Sequence, residues 1–394
     1  MIQDRKIKIL WVSDGVTPTG FSRVAHNVIS RLPDTEYEIK HLAINYFGDP
    51  HPYKHLIYPA VIRGDVWGVK RLGEFVDWGP DIIFLFNDPW LIKQYMDALT
   101  DLYKDKQLPK IVVYFPVDAE WQEPEWFEKF DKVSKVCVYT EFAKKAVQDA
   151  ISGLPIEVVP HGNDSSVFFR VPIDKKEIKK DIFGKREDLQ TDETFIVLNA
   201  NRNQPRKKLD IAIRGFAMFA EGKPKNVMYY HHAGLKDVGV DVIRLVNRLG
   251  MATRFIITNN ATGVQVIPES RLNLIYNACD VGINTSMGEG WGLCNVEHAV
   301  TGALQLVPDS SATGEIFKDC GVLLPTVTDW VYENTQTKGR LTTPEMVAAK
   351  LQWVYNNKPL ADELVEKAVA KFTSYEYSWE FVAANFDRIF KSVL

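Results

Sequence analysis

Two α/β domains in tandem, each a mostly parallel sheet with helices on both faces, are what this sequence predicts, and three observations lead there. The chain has 394 residues, more than one ordinary core accommodates. Along it, short apolar runs alternate with amphipathic stretches, the pattern of repeated strand and helix. That alternation stops at one charged segment and then starts again.

In the first half, "IKILWVS" reads as a strand ending in a polar turn. "FSRVAHNVISRL" follows with Phe21, Val24, Val28, Ile29 and Leu32 at helical spacing, and "DIIFLF", "KIVVYF", "KVCVY" and "IEVVP" read as further strands. After "VVPHGNDSSVFFRVP" the stretch "IDKKEIKKDIFGKREDLQTDE" carries no sustained apolar run and predicts a linker. The first domain is therefore placed at residues 1–172 and the second at 173–375. Strands and helices resume with "TFIVLNA", "LDIAIRGFAMFA", "NVMYYHH", "VDVIRLVNRLG", "TRFIIT", "SRLNLIYNA", "CDVGINT", "WGLCNVEHAV" and "ALQLVPD". In the tail, Trp379, Phe381, Val382, Phe386, Ile389 and Phe390 fall near helical spacing and predict a closing helix over 376–394. Two such domains facing one another would put the C-terminal ends of their strands, and hence the binding crevice, between them.

Composition narrows the function. With 46% hydrophobic and 25% charged residues the chain reads as an ordinary soluble globular protein. A formal net charge of -4, and acids outnumbering bases over residues 1–170, give no general case for nucleic acid or an anionic membrane surface. Cys137, Cys279, Cys294 and Cys320 lie far apart without CxxC spacing, as reduced thiols of a cytoplasmic protein do. The apolar run after "MIQDRK" is too short for a signal sequence or a spanning helix, so no stable membrane insertion is expected.

Two segments carry chemistry. In "TSMGEGWGLCNVEHAV", Glu289 sits in a turn crowded by Gly288, Gly290 and Gly292, and Glu297 lies one to two turns into the helix that follows. A glycine-rich strand end lets backbone amides approach a ligand, and the helix start favours an anion. A carboxylate in the turn suits sugar hydroxyls, and one on the helix suits the paired hydroxyls of a ribose. The plain alternative is a surface glutamate and a helix glutamate paired with a base. In "NANRNQPRKKLD", Arg202 and Lys207 flank a turn containing Pro205, and an arginine fork beside a lysine point charge suits a diphosphate. A solvated basic loop is the alternative there.

These segments together resemble the donor site of the retaining family-four glycosyltransferases, which have the GT-B fold of two Rossmann-like domains across a cleft. The resemblance rests on Tyr276, Ala278 and Asp280, on Glu289-Gly290-Trp291-Gly292-Leu293, and on Glu297, Gly302 and Glu315, all in order. "NANRNQPRKKLDIAIRGF" is similar to the family's basic element, with Lys208 where a glycine is usual, and "VVPHGNDSSVFF" to its hinge, with His161 and Asn163 as departures. "TPTGFSRVAHNVISRL" resembles the acceptor loop, keeping Gly20, and "SWEFVAANFDRIF" the last helix, which crosses back to the first domain.

The resemblance implies that Glu289 contacts donor-sugar hydroxyls, Glu297 the ribose, and Arg202 with Lys207 the leaving diphosphate, within a loop of Gly288, Gly290, Trp291, Gly292 and Leu293. Where many members carry a histidine after the strand "KIVVYF", this chain has Asp118, a candidate for a sugar or acceptor hydroxyl, or alternatively the N-cap of a helix over "AEWQEPEWFEKF". His161 reads either as a core histidine or as a donor contact. The implied reaction moves a hexose, with retention by front-face attack, from a nucleoside diphosphate sugar (UDP favoured over GDP) to an acceptor hydroxyl. It needs no metal or other cofactor. A glycan or another hydroxyl-bearing molecule is the expected acceptor, with nucleic acid disfavoured. A sugar-nucleotide 2-epimerase and a non-catalytic nucleotide-sugar-binding subunit share the architecture and stay open as alternatives.

Overall fold

The computed structural model describes residues 5–263 and 265–394; Met1–Asp4, which open the N-terminal stretch read above, lie outside the described residues. The chain divides into two compact units, one running to Gly162 and including Tyr375–Leu394, the other Asn163–Ser374.

The first unit is built on seven parallel strands: β1 (Ile7–Asp14), β2 (Tyr37–Ile44), β3 (Leu56–Pro59), β4 (Ile82–Phe86), β5 (Lys110–Phe115), β6 (Lys135–Val138) and β7 (Ile156–Val158). They lie in the order β3-β2-β1-β4-β5-β6-β7. Alternate residues of each strand point to opposite faces, and here both faces are apolar. Leu10, Val12, Ile83, Leu85, Val113 and Phe115 pack one face against the helices Pro89–Leu102 and Glu141–Ala150. Their neighbours Trp11, Phe84, Phe86 and Tyr114 line the other.

That second face receives the C-terminal helix Trp379–Val393. Ser378 caps it by accepting the Phe381 N–H, and Phe386 and Phe390 set their rings 5.1 and 5.5 Å from that of Phe84. Tyr37 donates to Asp387 at 2.8 Å, and Arg31 pairs with Glu380 at 2.7 Å. The closing helix expected at the C-terminus thus completes the first unit, with Phe386 and Phe390 fully buried.

The second unit has six parallel strands: β8 (Phe195–Asn199), β9 (Val227–His231), β10 (Phe255–Ile257), β11 (Val281–Ile283), β12 (Leu304–Pro308) and β13 (Val322–Leu324), in the order β10-β9-β8-β11-β12-β13. Val197, Tyr229, Ile283 and Leu306 form its core with Phe216 of the helix Leu209–Ala220 and Val347 and Leu351 of the helix Pro344–Asn356. In both sheets the strand order reverses beside the first strand of the unit, between β1 and β4 and between β8 and β11. Such reversals leave a crevice at the carboxyl ends of the strands.

The linker expected over "IDKKEIKKDIFGKREDLQTDE" is not one. Residues 175–183 form a helix, capped by Asp174, that packs on the helix Glu269–Ala278. Ile178 is buried, and Lys179 buries its stem while its ammonium donates to the carbonyls of Thr191 and Thr194 at 3.2 and 3.0 Å. Lysine stems supply apolar surface that a charge count hides. The units accordingly part at Gly162/Asn163 and not at 172/173. Residues 169 and 171 are already tied to the second unit, since Phe169 and Val171 donate their N–H groups to the side chains of Asn273 and Asn277.

Four of the eight histidines gather in the first unit. His26 stacks on Tyr53 with ring centroids 3.3 Å apart, His41 and His55 approach nitrogen to nitrogen at 3.4 Å, and His51 lies against Tyr53 at 5.7 Å. Burial brings His26 and His55 down to about 4 and holds His41 well below the ordinary histidine value. The unfolded chain titrates these rings near 6.5. Below that pH it takes up protons that the folded chain refuses, so stability falls as pH drops from about 6.5; the contributions of His26 and His55 level off near 4, where those folded rings also protonate, and that of His41 goes on falling below. Acidification from pH 7.5 to 5 is expected to lower the melting temperature by at least several degrees. Thermal melts across that range check this, and a flat profile contradicts it.

Candidate functional site

The two loops singled out in the sequence meet at the strand-order reversal of the second sheet. After β8 the chain runs through Asn199, Asn201 and Arg202 into a short 3-10 turn, Pro205–Lys207, and then into the helix Leu209–Ala220. After β11 it runs through Asn284–Gly292 into the helix Leu293–Val300. Gly292 has φ 96, a left-handed backbone that admits glycine without strain and lets the chain turn sharply into the helix.

Asparagines hold the two strand ends together. Asn201 donates to the Ile283 carbonyl at 3.3 Å, Asn284 to Asn295 at 2.9 Å, and Asn295 to Gln305 at 3.0 Å, all of them buried. The loops themselves are joined by the Met287 N–H donating to the Arg206 carbonyl at 2.9 Å and by the Thr285 hydroxyl donating to the Lys208 carbonyl at 2.9 Å. A polar network with its members paired in this way fixes one geometry.

Glu289 sits at its centre, its side chain only 6% exposed. One oxygen accepts from the Lys207 ammonium and from Asn284 at 2.9 Å, the other from Arg206 at 3.3 Å. Its backbone N–H donates to the Ser311 hydroxyl at 2.9 Å. Burial acts to raise the pKa of this carboxyl. The charges of Lys207 and Arg206, with the hydrogen bonds from Lys207 and Asn284, outweigh burial and bring it down to about 2. Glu289 is therefore ionised at any ordinary pH. Lys207 and Arg206 both reach this carboxylate, and Lys208, next in sequence, makes no ion pair among the described residues, so three basic side chains gather at the start of the helix Leu209–Ala220.

Glu297 is buried on the helix Leu293–Val300 and accepts from the Tyr276 hydroxyl at 3.3 Å. Trp291 and Gly288 are buried, and Gly290, Gly292 and Leu293 are half-buried along the same turn. Asp280, part of the same sequence pattern, is a structural group: it accepts the Ile196 N–H at 2.7 Å and pairs with Lys175 at 2.7 Å.

Arg202 is the exception among the second-unit candidates. Its guanidinium forms a two-pronged pair with Asp237, at 2.7 and 3.3 Å, and it is Arg206 that stands beside Lys207 at Glu289. The spacing in the sequence pointed to the first arginine of the loop, whereas the 3-10 turn beginning at Pro205 swings the second one inward. Sequence reasoning also missed Asn284 and Ser311, whose only signal was lying at a strand end and at a helix start.

Asp118, Gly20 and His161 belong to the first unit. Asp118 is half-buried three residues after β5; it caps no helix, since the segment expected to be helical holds only the 3-10 turns Pro124–Phe127 and Phe130–Lys132. Gly20 is exposed and opens the helix Gly20–Ile29 behind its cap Thr19, whose hydroxyl donates to Asp14 at 2.6 Å. His161 is buried, 2.8 Å from the Tyr114 hydroxyl through Nδ1, with its ring centroid 5.9 Å from that of Trp379, and burial lowers its pKa to about 3. These are the surroundings of a core histidine that seats the C-terminal helix. Among the described residues no group of three or more His, Cys, Asp or Glu is placed to hold a metal ion, and no helix is long and apolar enough to cross a membrane.

No protein-family model matches the chain, and no curated protein matches it. Solved structures do. A glycosyltransferase from Rickettsia africae superposes with a TM-score of 0.73 at 14% identity, covering 98% of each chain. Sucrose-phosphate synthase from Thermosynechococcus elongatus gives 0.71 at 14% identity, over 99% of each chain. Anabaena HepE, crystallised with UDP and glucose, gives 0.70 at 15% identity, over 98% of this chain and 100% of that one. At these identities the likeness establishes the fold, and the chain has the two-unit α/β fold of these glycosyltransferases, the GT-B fold expected from its motifs.

Proposed function

We propose that the chain is a retaining glycosyltransferase that moves a hexose from a nucleoside diphosphate sugar, a UDP-sugar before a GDP-sugar, to an acceptor hydroxyl. One observation carries this reading: a buried, ionised Glu289 held by Lys207 and Arg206 where two strand-end loops meet beside a helix start. A diphosphate suits the clustered positive charge of Arg206, Lys207 and Lys208, and the Glu289 carboxylate presents acceptors for sugar hydroxyls. HepE, of the same fold, was crystallised with UDP and glucose, which supports the choice of ligand class.

In this reading the acceptor oxygen attacks the anomeric carbon from the face that the leaving diphosphate vacates. The bond to the phosphate oxygen breaks, and that oxygen takes the acceptor proton. Lys207 and Arg206, in the place the sequence pattern gave to Arg202, meet the negative charge growing on the diphosphate, and Lys208 adds to their field. Stabilisation that increases on the way to the transition state raises the rate and not only the affinity. Side-chain cations fill the role a metal would otherwise play, so the reaction is proposed to be metal-independent. Glu297 is assigned to the ribose hydroxyls and Asp118 to the acceptor side. Four free thiols, three of them buried, support a reducing, cytoplasmic setting.

The test is nucleotide release from a panel of UDP-, GDP- and ADP-sugars by the full chain, without metal, with sugar products followed in parallel. Slow hydrolysis of one donor is expected, with retained configuration when an acceptor is supplied. An epimerised sugar would move the chain to the isomerases, and tight donor binding with no turnover under any acceptor would make it a binding subunit.

A further inference from the structure

The strands β14 (Thr328–Val331) and β15 (Lys338–Leu341) form an antiparallel hairpin outside both large sheets. No motif marked it in the sequence. Its register pairs Trp330 with Gly339 and Asp329 with Arg340, which puts Trp330 and Gly339 on one face.

The hairpin touches both loops of the Glu289 site. Toward the glycine loop, the Arg340 backbone N–H donates to the Met287 carbonyl at 2.8 Å. A Cβ on Gly339 would stand 2.9 Å from that same oxygen and 2.8 Å from the Tyr332 hydroxyl, so only glycine allows this approach. Toward the basic loop, the Lys208 ammonium lies 5.2 Å from the centroid of the Trp330 ring.

Lys208 has φ 48 and ψ 47, a left-handed backbone that is strained for a residue with a Cβ. A cation over an indole is attracted by the ring face strongly enough to offset strain of that order. The contact with Trp330 is thus of the size needed to hold Lys208 in its strained place. Lys208 follows directly on Lys207, and Met287 lies two residues before Glu289. Displacing either anchor displaces one partner of the Lys207–Glu289 pair.

We infer that this hairpin is a positioning element of the candidate site, fixing Glu289 through Met287 and Lys207 through Lys208, with Trp330 and Gly339 as its positioning residues. Only the kinetic consequence of this inference rests on the transferase reading; the structural consequence does not.

Hydrogen–deuterium exchange on the full chain tests it, comparing wild type with Trp330→Ala, Trp330→Phe and Gly339→Ala. Trp330→Ala is expected to speed exchange at least tenfold at residues 206–208 and 286–289 while β8 and the helix Pro344–Asn356 keep their rates. Gly339→Ala is expected to do so at 286–289, and Trp330→Phe, which keeps a ring under the cation, stays within about twofold of wild type. In a Lys208→Gly background the strained position is relaxed by glycine, and Trp330→Ala should no longer speed exchange at 206–208. Unchanged rates in Trp330→Ala, faster exchange across the whole second unit, or an undiminished effect in the Lys208→Gly background would each overturn the inference. With an active donor in hand, Trp330→Ala is expected to lower kcat about tenfold with KM within twofold, since misplacing a charge pair costs rate before affinity. An unchanged kcat contradicts the positioning role. If wild type turns over no donor, the transferase reading fails and the exchange data still decide the role of the hairpin.

Discussion

Glu289→Gln is expected to lower nucleotide release from the active donor by about 100-fold or more while UDP binds at least as tightly as to wild type. The substitution keeps size and shape and removes one charge. What is lost is the carboxylate that accepts from Lys207, Arg206 and Asn284 and, in the proposed reaction, from sugar hydroxyls that tighten in the transition state. What remains is a basic loop in which Lys207, only 13% exposed, has lost its counter-charge. Removing one partner of a buried pair costs about 3–5 kcal/mol. Glu289→Gln is therefore expected to melt well below wild type and to recover much of that loss in saturating UDP, because the diphosphate supplies the missing negative charge. Steady-state release and thermal melts with and without UDP check both halves. Turnover within tenfold of wild type, or weakened UDP binding, contradicts the assignment.

The same pair sets a pH limit that differs from that of the histidine cluster. Because the Glu289 pKa is depressed to about 2, its contribution to stability is full above the unfolded glutamate value near 4.3 and is lost only as pH falls from there through about 2. Losses between pH 6.5 and 5 belong to the buried histidines, His26, His41 and His55 together with His161, His231, His232 and His298, all of which burial holds below the ordinary histidine value.

Much of this architecture was legible because buried parallel strands are written as continuous apolar runs. β1, β4, β5 and β6 in the first unit and β8, β9, β11 and β12 in the second each coincide with such a run. β2, with the sequence YEIKHLAI, escaped notice because Glu38, Lys40 and His41 interrupt its apolar residues, although His41 is fully buried, level with Trp11 and Ile57 of the adjacent strands and 3.0 Å from the Ser13 hydroxyl. β13 was passed over although it is no shorter than β11, and the hairpin strands, TDWV and KGRL, are too polar to leave an apolar run. The charged helix 175–183 was missed for the opposite reason: its burial is supplied by Ile178 and a lysine stem.

In the site, the glycine loop and both glutamates could be read from sequence because a strand, a glycine turn and a helix follow one another without a gap. Which arginine turns inward could not. That depends on the 3-10 turn at Pro205 and on Asp237 drawing Arg202 away, a contact 35 residues distant in sequence. The hairpin's grip on Met287 is likewise a long-range main-chain contact with no signature in side-chain pattern.

Arg206→Ala and Lys207→Ala are expected to abolish most of the preference for a diphosphate, and Arg202→Ala to leave it intact. Arg206 and Lys207 converge on Glu289, and a charge-assisted hydrogen bond to a phosphate oxygen is worth roughly 1.5–3 kcal/mol, tenfold or more in affinity. Arg202 already satisfies its fork on Asp237. The measurement that bears most directly on the site is a calorimetric titration of UDP and of UMP into the wild-type chain and these three variants, at one fixed, moderate salt concentration. The predicted result is UDP binding at least tenfold tighter than UMP in wild type and in Arg202→Ala, with that margin falling to threefold or less in Arg206→Ala and Lys207→Ala. Equal binding of UDP and UMP by the wild-type chain, or a margin lost in Arg202→Ala and kept in the other two, would contradict a diphosphate site built on Glu289, Arg206 and Lys207.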